Sequence, residues 1–497
     1  MMAPANLTTM PLEVLLEITS YLDAPNHCAL RLTCRGIEAA LLRTFAQKYF
    51  RKITFMRTEF SLQALVDISK SRFGSYLQHV IISTRLLSPK RAFTGRRLPR
   101  NERDHGLVKY NHMCSDQYVL LETGYDQELL VEAFRNLNLQ VIEVSETAPP
   151  YIPVRSLPIY GSSHILRETA VDIWLDDISS QSNIRKPNAK CIHNVLFALG
   201  KSGSRPKRFG IETHFTRFDD ESLNIPTFMS KTVWPVLSSL EAIDIRVGAR
   251  SMASIPIGMS DGADRLETYY LRKFLAQSTH IKRLRIEQIY HFDGFFRWVS
   301  ASRLDDRSGR FRGLEPAQPP TFTQLHELEL GWFQVHIEDI ADIVEKFSTT
   351  LRKLTLHDLT LVLPDPTKEK FEEWPESVDY LAQRCKRLEE VRISRIAVES
   401  GRARRLMRPT DGTECFFYAG PNMRKGIGRI VDMLPEDDSD ESDDYDDEDE
   451  EELDASDDDD LADFEEYLDY VDGYDDFMGE MNDGLAEDFM YQTIFGV

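Results

Sequence analysis

No stretch of the 497 residues approaches the roughly 18–20 consecutive apolar side chains that a membrane-spanning helix needs, so an integral membrane protein is not expected. Met1 to Thr9 lack a basic segment followed by an apolar core, so secretion is not signalled. Cysteine is sparse: Cys28, Cys34, Cys114, Cys191, Cys385 and Cys415 are scattered, with no Cys-x-x-Cys pair. That disfavours a zinc site or a disulfide framework, and it points to reduced, mostly buried thiols in a cytoplasmic or nuclear protein. His-Glu-x-x-His, Gly-x-Ser-x-Gly and the phosphate-cradling Gly-x4-Gly-Lys-Ser/Thr are all missing. His326 and His336 stand ten residues apart without a cysteine or carboxylate at ligand spacing, and they read as surface or packed side chains. No catalytic residue, metal or cofactor is expected.

Basic residues are missing altogether from Glu436 to Val497, where 30 of the 62 side chains are acidic. The whole chain carries −23, with 59 basic and 82 acidic residues. Residues 1–435 therefore hold all 59 basic residues against 52 acidic ones, a net of +7. The sequence describes a mildly basic body with a strongly acidic tail. Hydrophobic residues at 42% suffice for a sizeable core.

One pattern recurs through the body, an amphipathic helical stretch followed by a strand of the form apolar-x-x-apolar-x-apolar. It appears at Leu77, Val80 and Ile82, then at Leu139, Ile142 and Val144, then at Leu240, Ile243 and Ile245. Further copies start at Ile281, Leu325, Leu351 and Leu388, and a weaker one at Pro206 contains Phe209 and Ile211. Helical faces precede several of them: Leu129, Ala133, Phe134 and Leu137 before Leu139, and Ile337, Ile340, Ala341, Val344 and Phe347 before Leu351. Leu266, Tyr270 and Phe274 stand before Ile281, and Leu65 and Ile68 before Leu77, with Ser61 as the expected N-cap. Neither strand nor helix can bury its apolar side alone, so such units must stack, and a helix supplies the crossover between parallel strands. The fold class read from this is α/β, an irregular leucine-rich-repeat-like solenoid over residues 51–435. No unit shows a clear Asn or Cys two residues after its last strand leucine, and a doubly wound α/β domain is the alternative. Arg85–Asp104, Thr147–Pro158 and Ser302–Pro320 read as surface loops. Their basic residues, like Arg402, Arg404, Arg405 and Arg408, signal no specific nucleic-acid partner.

Residues 1–50 differ in texture. Pro11 precedes a helical run in which Val14, Leu15, Ile18 and Leu22 share a face, and Glu13 suits the positive end of the helix dipole. Asp23 to Asn26 read as a stop and turn. A second helix carries Ala29, Leu30, Leu32 and Cys34, and a third Ile37, Ala40, Leu41, Leu42, Phe45 and Tyr49. Three short helices can hardly build an independent core, so this block should lean on something else.

Met10-Pro11-Leu12-Glu13-Val14-Leu15-Leu16-Glu17-Ile18, then Tyr21-Leu22-Asp23, then Leu30-Arg31-Leu32-Thr33-Cys34-Arg35, resembles an F-box. The likeness covers about 45 residues, and the layout is similar to fungal-type F-box proteins with degenerate leucine-rich repeats. Met10 stands where the family usually has Leu, Asn26-His27-Cys28 where an Asp-Leu pair is common, and no Trp follows Arg35. The resemblance implies docking onto the adaptor subunit of an SCF-type cullin–RING ubiquitin ligase through Met10, Pro11, Val14, Leu15, Ile18, Leu22, Leu30, Leu32 and Cys34. It also implies that the repeats hold a protein substrate.

Glu436 to Asp460 contain 19 acidic residues in 25, a density at which like charges repel and the chain stays unfolded. Beyond them Leu461, Phe464, Leu468 and Val471 step as one helical face among tyrosines and acids, which fits a short recognition element over 461–471. A second function class is therefore a non-enzymatic acidic-tailed binding protein for histones or other basic proteins.

Overall fold

The computed structural model describes residues 7, 10–88, 100–146, 159–173, 185–213, 220–247, 268–287, 295–302, 315–362, 383, 387–400, 403–408, 415–420 and 434–435. The expected tail element at Leu461, Phe464, Leu468 and Val471, and the expected loop at Thr147–Pro158, lie outside them. Residues 1–45 and 46–436 fall into separate compact units.

The first unit carries α1 (Leu12–Ser20), α2 (Ala24–Leu32) and most of α3 (Arg35–Tyr49). The connection between α1 and α2 ends at Asp23, whose carboxylate accepts the backbone N–H of Asn26 at 2.8 Å and caps α2, so the expected turn stops there and Ala24 to Asn26 are already helical. Pro25 falls in the first turn, where a missing N–H removes no helical bond.

The second unit is built on strands β1 (Lys52–Phe55), β2 (His79–Ser83), β3 (Val141–Ser145), β4 (Ile159–Tyr160), β5 (Arg208–Thr213), β6 (Ala242–Val247), β7 (Arg283–Glu287) and β8 (Glu327–Gly331). It continues with β9 (Gln334–His336), β10 (Lys353–His357), β11 (Thr360–Val362), β12 (Glu390–Ser394), β13 (Ile396–Ser400), β14 (Ala403–Arg408), β15 (Cys415–Ala419) and β16 (Leu434–Pro435). Its helices are α4 (Glu59–Lys70), α5 (Arg100–Thr123), α6 (Tyr125–Asn136), α7 (Ser162–Thr169), α8 (Arg185–Ser202), α9 (Thr227–Leu237), α10 (Tyr269–Ala276), α11 (Phe295–Ser300) and α12 (Ile337–Lys346).

An eleven-stranded sheet runs β15-β12-β10-β8-β7-β6-β5-β3-β2-β1-β4, parallel except for β15. Apart from the two-residue β4 and the terminal β15, strand order follows chain order. A doubly wound sheet reverses its order at a switch point, so the units here stack one after another instead.

The triplet pattern explains why. Val80, Ile142, Phe209, Ile243, Leu284, Leu328, Leu354 and Val391 pair in register into one continuous row. Ile82, Val144, Ile211, Ile245, Ile286, Leu330, Leu356 and Ile393 form a second, and every member of both rows is buried. Each such side chain contributes about 1.5–3 kcal/mol when buried. The leading apolar residues, such as Leu240, Ile281 and Leu351, are buried just before each strand. Neighbouring helices α4, α6, α8 and α9 pack on each other in chain order.

Helix α4 is capped by Thr58, whose hydroxyl accepts the N–H of Ser61, rather than by Ser61 itself. Ser61 is buried and donates instead to the Tyr160 carbonyl at 2.7 Å, fastening β4 to α4. The expected loop after Arg85 ends early, since α5 begins at Arg100, and Arg404, Arg405 and Arg408 lie on β14.

A five-stranded sheet in the order β16-β14-β13-β11-β9 was not evident from the sequence pattern. Its parallel strands β9, β11 and β13 each follow a strand of the large sheet after a sharp corner. Trp332, Asp358 and Arg395 occupy the corners with φ of 66°, 53° and 50°. Each sits two residues after the last strand leucine or isoleucine, the place where Asn was sought. Asn tolerates this left-handed backbone; the chain instead forces Trp, Asp and Arg into it.

Helix α10 has a remote cap. Asp220 accepts the backbone N–H groups of Tyr270 at 2.7 Å and Leu271 at 2.9 Å. Burial pushes its carboxyl from 3.8 up to about 7, against the pull of those two bonds. The folded state thus holds the Asp220 proton more tightly than the unfolded state, and the residue's stabilising contribution falls as pH climbs from about 4 to 7. In urea titrations, the stability of the wild type relative to Asp220→Asn should therefore decline steadily across that window. Parallel pH curves for the two proteins would refute it.

Candidate functional site

Two surfaces carry chemistry. The first lies on the helical unit, whose core is Leu15, Ile37 and Leu41, with Met10, Leu16, Leu30 and Cys34 packed partly against it. Arg31 is fully buried: it donates to Glu38 at 3.2 Å and its guanidinium lies 3.8 Å from the centroid of the Phe45 ring. His27 meets the same ring edge-on.

Around this core the expected docking residues separate into three groups. Leu15, 4% exposed, is an internal packing residue. Met10, Ile18, Leu22, Leu30 and Cys34 are half-buried, while Pro11, Val14 and Leu32 face water. Exposed beside them in the same unit are Leu7, Leu12 and Tyr21, which the helical-face reading missed. Of the periodic face only Leu15 turns fully inward, while Val14 on that face and Leu12 off it stay exposed. Leu12, directly after Pro11, is 46% exposed.

The second surface is the face of the large sheet opposite the buried rows. A chain of charges of alternating sign crosses it. His79 meets Glu143 at 3.2 Å, and Arg208 links Glu143 at 3.4 Å to Asp244. Arg283 spans from Asp244 at 3.8 Å to Glu329 at 3.7 Å. Arg285 bridges Glu329, at 3.2 Å, and Glu287. His357 then contacts Glu287 at 3.4 Å and Asp358 at 3.2 Å, and Asp358 accepts from Arg395 at 2.6 Å.

Burial and pairing compete along this chain. Burial raises the Asp244 carboxyl despite Arg208 and Arg283. At Glu143 burial opposes ionisation, but the hydrogen bond and charge of His79 and the charge of Arg208 outweigh it, and the carboxyl falls below its ordinary value. Glu287 falls likewise against burial, through His357 and Arg285. Burial works against protonation of His357, yet its hydrogen bonds to Glu287 and Asp358 raise its pKa. Gly331 makes room for this histidine, because a Cβ there would lie 2.2 Å from the His357 ring.

Glu287, Glu329 and His357 offer three donor atoms within 4.8 Å of one another. Arg285 already bonds both carboxylates, so the positive charge a metal would bring is supplied by a guanidinium. The arrangement is a network of paired charges of opposite sign across the sheet face. His326 is exposed and His336 half-buried. Among the described residues Cys28, Cys34, Cys114, Cys191 and Cys415 form no disulfide, and Cys28, Cys114 and Cys191 are buried. Among the described residues no helix is long and apolar enough to cross a membrane.

Residues 7–41 match the family model of the F-box domain. No curated protein matches the chain.

Proposed function

We propose that this F-box protein is the substrate-recognition subunit of an SCF-type cullin–RING ubiquitin ligase, docking the adaptor through its helical unit and a protein substrate through its sheet unit. The observation that carries the reading is the group of water-facing apolar residues, Leu12, Val14 and Leu32, 43–52% exposed, within the F-box match. Apolar side chains gathered on one small helical unit favour a protein partner. Pro11 and half-buried Met10, Ile18, Leu22, Leu30 and Cys34 complete the contact, while Leu15 holds the helices together.

In this role the protein catalyses nothing itself. It raises the effective concentration of substrate lysines near a charged conjugating enzyme. The stacked units act as leucine-rich-like repeats, and their charged sheet face is the receptor. Residues 436–497 add an acidic segment suited to basic proteins, with Leu461, Phe464, Leu468 and Val471 as its recognition element. The site of action on this reading is the cytoplasm or nucleus.

Size-exclusion chromatography of the full chain with purified adaptor tests the proposal. Co-elution as a stable complex at micromolar concentration is the expected result. Separate elution at 10-fold higher concentration of both proteins would remove the ligase reading.

A further inference from the structure

We infer that the strip of the large sheet from β15 across β12 to the corner after β8 is an interaction surface for an extended acidic protein segment that bears an aromatic side chain. The inference rests on the receptor reading of the sheet unit and specifies which part of it meets a substrate and what chemistry that substrate presents.

Along most of the sheet face each charge is matched by a neighbour of opposite sign, so that stretch offers no net preference for a charged partner. The pattern changes at its end. Arg392 is exposed, and no carboxylate among the described residues lies within ion-pair distance of it. Its guanidinium instead stands 5.4 Å from the ring centroid of Phe417, its register partner on β15, which is itself 53% exposed. Three residues on, Arg395 is 63% exposed at its side chain, held on one side by Asp358. Its guanidinium lies 6.0 Å from the ring centroid of Trp332, 46% exposed.

Two guanidinium–aromatic pairs thus flank β12, with Phe417 on β15 to one side and Trp332, at the corner after β8, two strands away on the other. Guanidinium forks match carboxylates in two-point geometry, and Arg and Trp are the side chains that most often dominate the energy of protein interfaces. Trp332 and Arg395 are also held at positive φ, a backbone state unfavourable for side chains of this size and one that gathers at functional sites. Of the two, Arg392 alone has no carboxylate beside it among the described residues, since Arg395 shares its charge with Asp358. The site therefore suits a few carboxylates and a ring rather than the dense charge of a nucleic acid.

The test uses the full chain and a fluorescein-labelled twelve-residue peptide of ten glutamates and two phenylalanines, followed by anisotropy at low and moderate salt. Saturable binding is expected, weakened about tenfold or more by Arg392→Glu with Arg395→Glu. Arg392→Glu alone, which breaks no ion pair among the described residues, should weaken it several-fold, and Phe417→Ser likewise. Trp332 reports independently: peptide should shift the tryptophan emission of the wild type but not of Trp332→Phe. Equal affinity in all variants, or equal binding of the lysine counterpart of the peptide, would overturn the inference. So would tighter binding of a single-stranded oligonucleotide that the same variants abolish. Adaptor co-elution measured on the same preparations reports on the helical unit alone, so loss of peptide binding with co-elution intact condemns this surface and not the ligase assignment.

Discussion

Val14→Asp combined with Leu32→Asp is expected to abolish co-purification with the adaptor while leaving the thermal midpoint of the protein nearly unchanged. Both side chains are about half exposed, so a carboxylate at either site stays hydrated in the isolated chain. In the proposed complex each would be pressed against apolar surface, at a cost of about 2–4 kcal/mol. Even the lower figure, taken for both sites, weakens binding by roughly 1,000-fold. Leu15→Ala provides the contrast. It removes a side chain from the core shared with Ile37 and Leu41, so its loss of about 2–5 kcal/mol should appear as unfolding first and loss of binding second. Retention of adaptor binding by the double aspartate variant, measured by pull-down at equal protein concentration, would show that this apolar face is not the contact.

Gly200→Ala is expected to destabilise the sheet unit by about 2 kcal/mol or more, although alanine is the better helix former. Gly200 lies near the end of α8, where a Cβ would stand 2.2 Å from the carbonyl oxygen of Thr232 and 2.5 Å from its Cγ2 on α9. The helix gains about 1 kcal/mol from the substitution. Against this, the obstacle is largely backbone and cannot rotate away. The two helices must separate, which loosens Leu196, Leu199, Val233 and Val236, all fully buried. Urea unfolding checks the sign; an unchanged or raised midpoint would mean that α9 moves aside freely.

The large sheet was legible because its signal is local and repeated. Two apolar residues separated by one, preceded by a third, mark the inward rows, and Leu284 and Ile286 or Leu354 and Leu356 stand where that spacing puts them. The helical unit was legible for another reason, since Pro11, Glu13 and Tyr21-Leu22 follow a recognisable order. The second sheet escaped because its strands are two to six residues long, with little room for alternation, and because the corners before β9, β11 and β13 carry Trp, Asp and Arg where Asn or Gly would have announced a left-handed backbone. The charge network on the sheet face escaped too. Apart from the neighbours Arg285–Glu287 and His357–Asp358, its pairs lie 36–70 residues apart, and only the in-register stacking of strands brings Glu143 beside Arg208 or Glu329 beside Arg285. The cap on α10 is of the same kind, with 50 residues between Asp220 and Tyr270.

The in-register rows carry a consequence for how such a chain can change over time. Between β2 and β3 the chain accommodates the 24-residue helix α5, and between β3 and β5 it inserts β4 and α7, yet each new strand still joins at the same level of the sheet. Backbone bonds repeat from Gln140 N to Gln78 O, from Lys207 N to Gln140 O and from Glu241 N to Lys207 O, whatever the length of chain between. The architecture counts rungs, not residues. Segments joining one rung to the next are therefore free to lengthen, shrink or acquire new surfaces, and a peptide tag spliced into one of them should leave the ladder undisturbed.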